Sequence, residues 1–275
     1  MMAGDFFASD LDGTFFDNQR EYDVDRFKTL VQIINSQDNH FVLATGRDMI
    51  MLKKSFAPVW GQVDIVANNG AVVIAANGTV LQEAVIPIII MEKVMQVISK
   101  MHLEKGVIFV GLNHKFMLRK HRNLNHQKNT FQREDQVSYF VEQVNEIHDR
   151  IVKLTFGVET QAVPALIELI QNQVGSSVYV TTSGYGSIDV IAATVNKAQG
   201  LQILAQYYQQ DQPWIMAFGD GLNDLEMLKI AQMPYAMSNG DPVIVEQFPP
   251  AMADNQHSGV IKTIEKYLQK KQTNK

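Results

Sequence analysis

The chain opens on Phe6-Phe7-Ala8-Ser9-Asp10-Leu11-Asp12-Gly13-Thr14. A short apolar run that stops at polar residues and a glycine reads as a buried strand leaving a sheet. Side chains alternate along an extended backbone, so Asp10 and Asp12 point the same way just beyond that strand. Gly13 permits a sharp turn there. Two carboxylates held together repel, and such a pair calls for a cation, a shared proton or a division of labour. Taken alone, Asp-x-Asp-Gly is also ordinary turn chemistry. The rest of the chain gives it meaning.

Downstream, strand and helix signals alternate. Phe27, Leu30, Val31 and Ile34 recur at helical spacing and predict an amphipathic helix over 24–37. Residues 41–44 and 65–67 read as strands. This β-α-β grammar implies an α/β protein with a Rossmann-like, doubly wound parallel sheet. Asn77-Gly78, flanked by Ala71-Val72-Val73-Ile74 and Val80-Leu81-Gln82-Glu83, predicts a hairpin. Residues 85–186 follow another pattern, with helices around Met91–Ile98 and Ala162–Ile170 and short strands at 107–110, 153–156 and 178–182. They read as an inserted α+β domain, leaving 1–84 and 187–275 as the core. Within the returning core we expect a strand at 188–191, a helix over 197–208, a strand at 214–218, a helix over 222–230 and a C-terminal helix ending in a frayed basic tail.

The totals narrow the classes. A chain of 275 residues with net charge −5 is large enough for a sizeable core and too acidic for a general nucleic-acid binder. The absence of cysteine excludes disulfides, a thiolate nucleophile and cysteine-ligated zinc. Seven histidines show no zinc spacing. The N-terminus lacks the layout of a signal peptide, and the longest apolar stretch, 84–91, contains Pro87 and is too short to span a bilayer. The expectation is a cytoplasmic protein with no membrane or nucleic-acid partner.

Three further motifs stand beside the first. Thr45-Gly46-Arg47 follows the second strand, where a hydroxyl and backbone N–H groups can donate to a phosphoryl oxygen. Lys197 opens a helix and offers an ammonium against negative charge. Gly219-Asp220-Gly221-Leu222-Asn223-Asp224 runs from a strand into a helix start. One acidic group there suits a helix cap, but three acidic or amide side chains exceed what a cap requires. Asp10, Thr45 and Asp220 each follow the C-terminal end of a predicted strand. In a parallel sheet these ends share one edge, the edge at which ligands bind.

With these four motifs in order, the chain resembles the haloacid dehalogenase superfamily, and within it the Cof-type phosphatases that carry a large class-two cap. Asn69-Gly70-Ala71 is similar to the same subfamily. One departure is Lys197-Ala198-Gln199-Gly200, where the family usually has glycine directly after the lysine. The resemblance implies a phosphatase acting on a small phosphomonoester. Asp10 would be the nucleophile that forms an aspartyl-phosphate, and Asp12 the general acid and then base. Neighbouring carboxylates would keep Asp12 protonated. Mg2+ would sit on Asp10, Asp220 and the backbone carbonyl of Asp12, with Asp224 orienting a ligand or Lys197. Leu11 and Gly46 through their N–H groups, with Thr45, Arg47, Lys197 and Asn223, would hold the phosphoryl oxygens. The inserted domain would close over the site. Its basic stretch from His114 to Lys128 reads as a solvated surface, or else as a contact for an acidic substrate. A phosphomutase of the same superfamily, or a non-catalytic binder of phosphorylated ligands, are the alternative readings.

Overall fold

Phe6–Ser9 (β1) is buried at every position and has parallel neighbours on both sides. A strand so placed must be apolar throughout, which is why it reads as a continuous hydrophobic run. The computed structural model describes residues 4–122, 137–184, 186–193 and 195–273, which form two compact units. The first comprises residues up to 47, 51–82 and 196 onward. Its strands are β1, His40–Ala44 (β2), Asp64–Ala67 (β3), Val72–Ile74 (β4), Val80–Glu83 (β5), Ile215–Gly219 (β12) and Met233–Ala236 (β13). They lie in the order β13-β12-β1-β2-β3-β4-β5. The five from β13 to β3 run parallel, and β4 runs antiparallel to β3. The helices are Val24–Asn35 (α1), Met49–Ser55 (α2), Lys197–Tyr207 (α5), Leu225–Ile230 (α6), Pro242–Gln247 (α7) and Gly259–Thr273 (α8), with residues 49 and 50 of α2 grouping with the second unit.

Helix α1 buries Phe27, Leu30, Val31 and Ile34, the residues its periodicity selects, and Asp23 caps it by accepting from the Arg26 N–H. Helix α5 starts at Lys197 because Asn196 caps it, accepting from the Gln199 N–H at 2.8 Å. Gly200 lies on the buried side of α5, where a Cβ would come within 2.4 Å of Val66 Cγ1. The displaced glycine thus serves helix-to-sheet packing and does not move the helix start. Leu201, Leu204 and Ala205 complete that contact with Val42, Ala44 and Val66.

The second unit comprises 83–195 together with 48–50. Its sheet has the order β10-β11-β9-β6-β7-β8, formed by Ile108–Gly111 (β6), Lys115–Leu118 (β7), Tyr139–Val141 (β8), Ile151–Gly157 (β9), Val178–Thr181 (β10) and Ser187–Ala192 (β11). Helices Ile88–Lys100 (α3) and Val163–Val174 (α4) pack on one face through Val94, Ile98, Ile170 and Val174 against Phe109, Leu154, Phe156 and Val190.

Three expectations need correction. The strand expected at 188–191 in the core sheet is Ser187–Ala192 (β11), which pairs antiparallel with β9 and β10, so the insertion extends to Val195. An apolar run carries no label of its sheet; its partners do. The C-terminal tail does not fray at its first lysines. It is helical through Thr273, with Lys271 Nζ 2.5 Å from Asp5 Oδ2 and lying over the Tyr267 ring. Lys115 is no solvated basic residue either: it is buried, with Nζ 2.7 Å from Asp48 Oδ2. Residues 123–128 of that basic stretch lie outside the described residues. Among the described residues no helix is long and apolar enough to cross a membrane.

Candidate active site

The parallel register of β12, β1 and β2 brings Gly219, Ser9 and Ala44 to one edge. Asp10, Thr45 and Asp220 follow directly. Past β1 the chain turns tightly, closed by the Phe16 N–H donating to the Leu11 carbonyl at 2.8 Å. Gly13 sits in this turn at φ +81°, and a Cβ there would stand 2.3 Å from Asp220 Oδ2. Only glycine allows both that backbone angle and the approach of Asp220. Thr14 Oγ1 donates to Asp220 Oδ1 at 2.8 Å, tying the two loops together.

Lys197 lies at the centre with no exposed surface. Its Nζ donates to Asp10 Oδ1 and to Asp224 Oδ1, each at 2.6 Å. The other oxygen of Asp224 accepts the N–H groups of Asp220 and Gly221 at 3.0 and 2.9 Å. Both Asp224 oxygens are thus engaged in holding Lys197 and the loop. Asp10, Asp220 and Asp224 each offer a carboxylate oxygen within 4.8 Å of the others, a set that could hold a metal ion.

The electrostatics are those of an under-neutralised buried cluster. Burial pushes the Asp10 carboxyl well above its ordinary value; Lys197 pulls it back, while Asp224 and Asp220 add to the rise. Burial, then Asp224, pushes Asp220 up to about 7, against the pull of Thr14 and Lys197. For Lys197, burial pulls downward, yet Asp10 and Asp224 outweigh it and the ammonium titrates above its ordinary value. Three carboxylates share one cation. A divalent cation with hard oxygen preferences fits this donor set, because it removes the repulsion that drives the carboxyls upward.

Asp12 is placed differently from expectation. Arg47 Nε and Nη2 donate to its two oxygens at 2.6 Å each, a fork on a carboxylate, and Arg20 Nε stands 3.9 Å away. The fork gives Asp12 a cationic partner that the expectation from neighbouring acids did not include. The Arg47 guanidinium also lies over the Phe16 ring, 4.9 Å from its centroid. Thr45 is buried and accepts the Arg47 N–H at 3.1 Å on its hydroxyl, which leaves its proton for an acceptor. Gly46 is buried beside it, the Leu11 side chain is in the core, and Asn223 Nδ2 donates to Asn69 Oδ1 at 3.0 Å.

The structure therefore gathers Asp10, Lys197, Asp220 and Asp224 into one cluster, and Asp12 with Arg47 into a pair. Sequence reasoning missed Thr14 as a partner of Asp220, and Asn239, whose Nδ2 donates to the Gly13 carbonyl at 2.8 Å. Asn239 follows β13, a strand obscured in sequence by Pro234 and only four residues long.

Residues 7–264 match the haloacid dehalogenase-like hydrolases, and the chain belongs to that family. Within it the chain is a phosphatase of the Cof type. It is 27% identical over 266 residues, 95% of each chain, to the Escherichia coli 5-amino-6-(5-phospho-D-ribitylamino)uracil phosphatase YbjI. An 81-residue segment, 30% of each chain, is 38% identical to YitU of Bacillus subtilis, a phosphatase of the same name. The solved structure of SMU.1108c from Streptococcus mutans superposes with a TM-score of 0.87 at 26% identity, covering 97% of this chain and all of that one.

Proposed function

We propose that this protein is a Mg2+-dependent phosphatase that hydrolyses small phosphorylated metabolites, sugar phosphates or phosphorylated cofactors, through an aspartyl-phosphate at Asp10. The observation that carries the reading is the buried Asp10 carboxylate, held at Oδ1 by Lys197 in a cluster with Asp220. The lysine fixes one oxygen, and the other is the candidate for attack on phosphorus. A P–O bond forms to Asp10 as the ester P–O bond breaks, and the leaving alkoxide takes a proton from Asp12. Water then attacks the acyl phosphate, Asp12 takes its proton, and inorganic phosphate leaves with the Asp10 carboxylate restored. For Asp12 to donate, the Arg47 fork must open and the carboxyl must take up a proton from solvent before the ester bond breaks; the water attack in the second step returns that proton to Asp12.

Asp10, Asp220 and the backbone carbonyl of Asp12 would hold Mg2+, which when bound offsets the charge of the phosphate and the carboxylates. Thr45, Lys197, Asn223 and the N–H groups of Leu11 and Gly46 would position the phosphoryl oxygens. Asp224 serves by orienting Lys197.

Two relatives bear the name of a phosphorylated ribitylaminouracil phosphatase, and one aligns across nearly the whole chain. Phosphomonoesters of polyol-bearing heterocycles are therefore the first substrates to assay, ahead of plain sugar phosphates. A panel of such esters, assayed for phosphate release with Mg2+, should yield turnover in the wild type and none in Asp10→Asn. Isomerised sugar phosphate in place of free phosphate would instead identify a mutase.

A further inference from the structure

The segment Asn68-Asn69-Gly70 leaves β3 in an uncommon way. All three residues have positive φ, at 49°, 58° and 102°. Asparagine tolerates this region better than other side chains, but two in succession before glycine still cost free energy. Both asparagines are buried, and Asn68 Oδ1 has no hydrogen-bond partner among the described residues. A turn of this kind persists only where its surroundings hold it, and such turns cluster at functional sites.

Its contacts show what it joins. The Asn68 N–H donates to the Arg47 carbonyl at 3.0 Å, and the Asn69 N–H to the Thr45 carbonyl at 2.9 Å. A Cβ on Gly70 would lie 2.3 Å from the carbonyl oxygen of Asn196, the cap residue before Lys197. Asn69 Oδ1 accepts from Asn223 Nδ2 at 3.0 Å. Three residues thus touch the loops that carry Thr45, Lys197 and Asn223. None of the three can titrate, so any contribution is geometric.

We infer that Asn69 is a positioning residue for phosphoryl-oxygen binding, acting through Asn223; the inference rests on the phosphatase reading above. A carboxamide nitrogen has two protons in one plane. Binding one of them to Asn69 fixes the amide plane and hence the direction of the other. Because Asn69 is itself tied by its backbone to the Thr45 loop, the Asn223 donor and the Thr45 hydroxyl are held in one frame. Without that frame, Asn223 must be ordered when the phosphate binds.

The bland alternative makes Asn69 only a residue that tolerates a left-handed turn. Asn69→Gly separates the two, since glycine keeps the backbone conformation and removes the side chain. The test measures inhibition by inorganic phosphate, KM and thermal unfolding for Asn69→Gly, Asn223→Ala and the double variant. We expect Asn69→Gly to weaken phosphate binding about fivefold, the worth of one hydrogen bond, with KM rising by the same factor. Asn223→Ala weakens it at least as much, and adding Asn69→Gly to that variant changes it less than about twofold. Wild-type phosphate binding in Asn69→Gly would overturn the inference, as would losses that multiply in the double variant or no loss in Asn223→Ala. No loss in Asn223→Ala would also remove Asn223 from the phosphoryl-binding groups, while the phosphatase reading itself stands or falls separately on the turnover of Asp10→Asn.

Discussion

Lys197 has no exposed surface and two carboxylate partners at 2.6 Å. Removing one member of a buried ionic group leaves the others uncompensated. Lys197→Met is therefore expected to lower stability by about 3 kcal/mol in metal-free buffer, read by urea denaturation. A loss under about 1 kcal/mol would mean the cluster is better solvated than its burial indicates. The acid side gives a second prediction. Asp220 is raised from 3.8 to about 7 in the folded chain, and Asp10 moves in the same direction. Between about pH 4 and about pH 7 the folded metal-free protein holds a proton that the unfolded chain has released. Its stability from this source is present in acid and falls as pH rises through that window. Mg2+ competes for the same oxygens, so its affinity rises over the window and levels above it. The rise in Tm on adding Mg2+ should thus be larger at about pH 8 than at about pH 5.5. An equal rise at both would remove Asp220 from the metal site.

Among the elements, α5 carries both the central lysine and the tightest helix-to-sheet contact. Gly200→Ala places a methyl group 2.4 Å from Val66 Cγ1. Overpacking at such a site costs about 1–3 kcal/mol. The expected outcome is a lower Tm, and an unchanged Tm would show that β3 yields readily. The elements also show what a sequence can and cannot reveal. β1, α1 and α5 were legible because their apolar pattern and caps are local: Asp23 and Asn196 each cap the helix that follows. β13 was not legible, since Pro234 interrupts a short and only partly buried strand. β11 was legible as a strand but not as a member of the second sheet, because its partners β9 and β10 are a long-range choice. In the site, Asp10, Thr45 and Asp220 could be placed at one edge from strand order alone. The grip of Arg47 on Asp12 and of Asn223 on Asn69 depends on side-chain direction across 35 and 154 positions, which no local pattern encodes.

At the scale of the molecule, residues 187 and 206 positions apart meet because parallel strands share an edge. The insertion interrupts this unit at a place where it can be closed. Gln82 Nε2 donates to the Gly70 carbonyl at 2.8 Å, and Gly70 also abuts Asn196. Both ends of the insertion therefore reach the same residue. Replacing 83–195 by a short Gly/Ser linker is expected to leave a folded core whose Tm still rises with Mg2+. A chain that fails to fold would show that the first unit depends on the second.

The most direct test of the account is acid quenching of the wild type and Asp10→Asn during turnover of a phosphomonoester with Mg2+, followed by peptide mass spectrometry. The account predicts phosphate bound covalently to the peptide containing Asp10 in the wild type, and neither that adduct nor phosphate release in the variant. Phosphate release that survives in Asp10→Asn would contradict it.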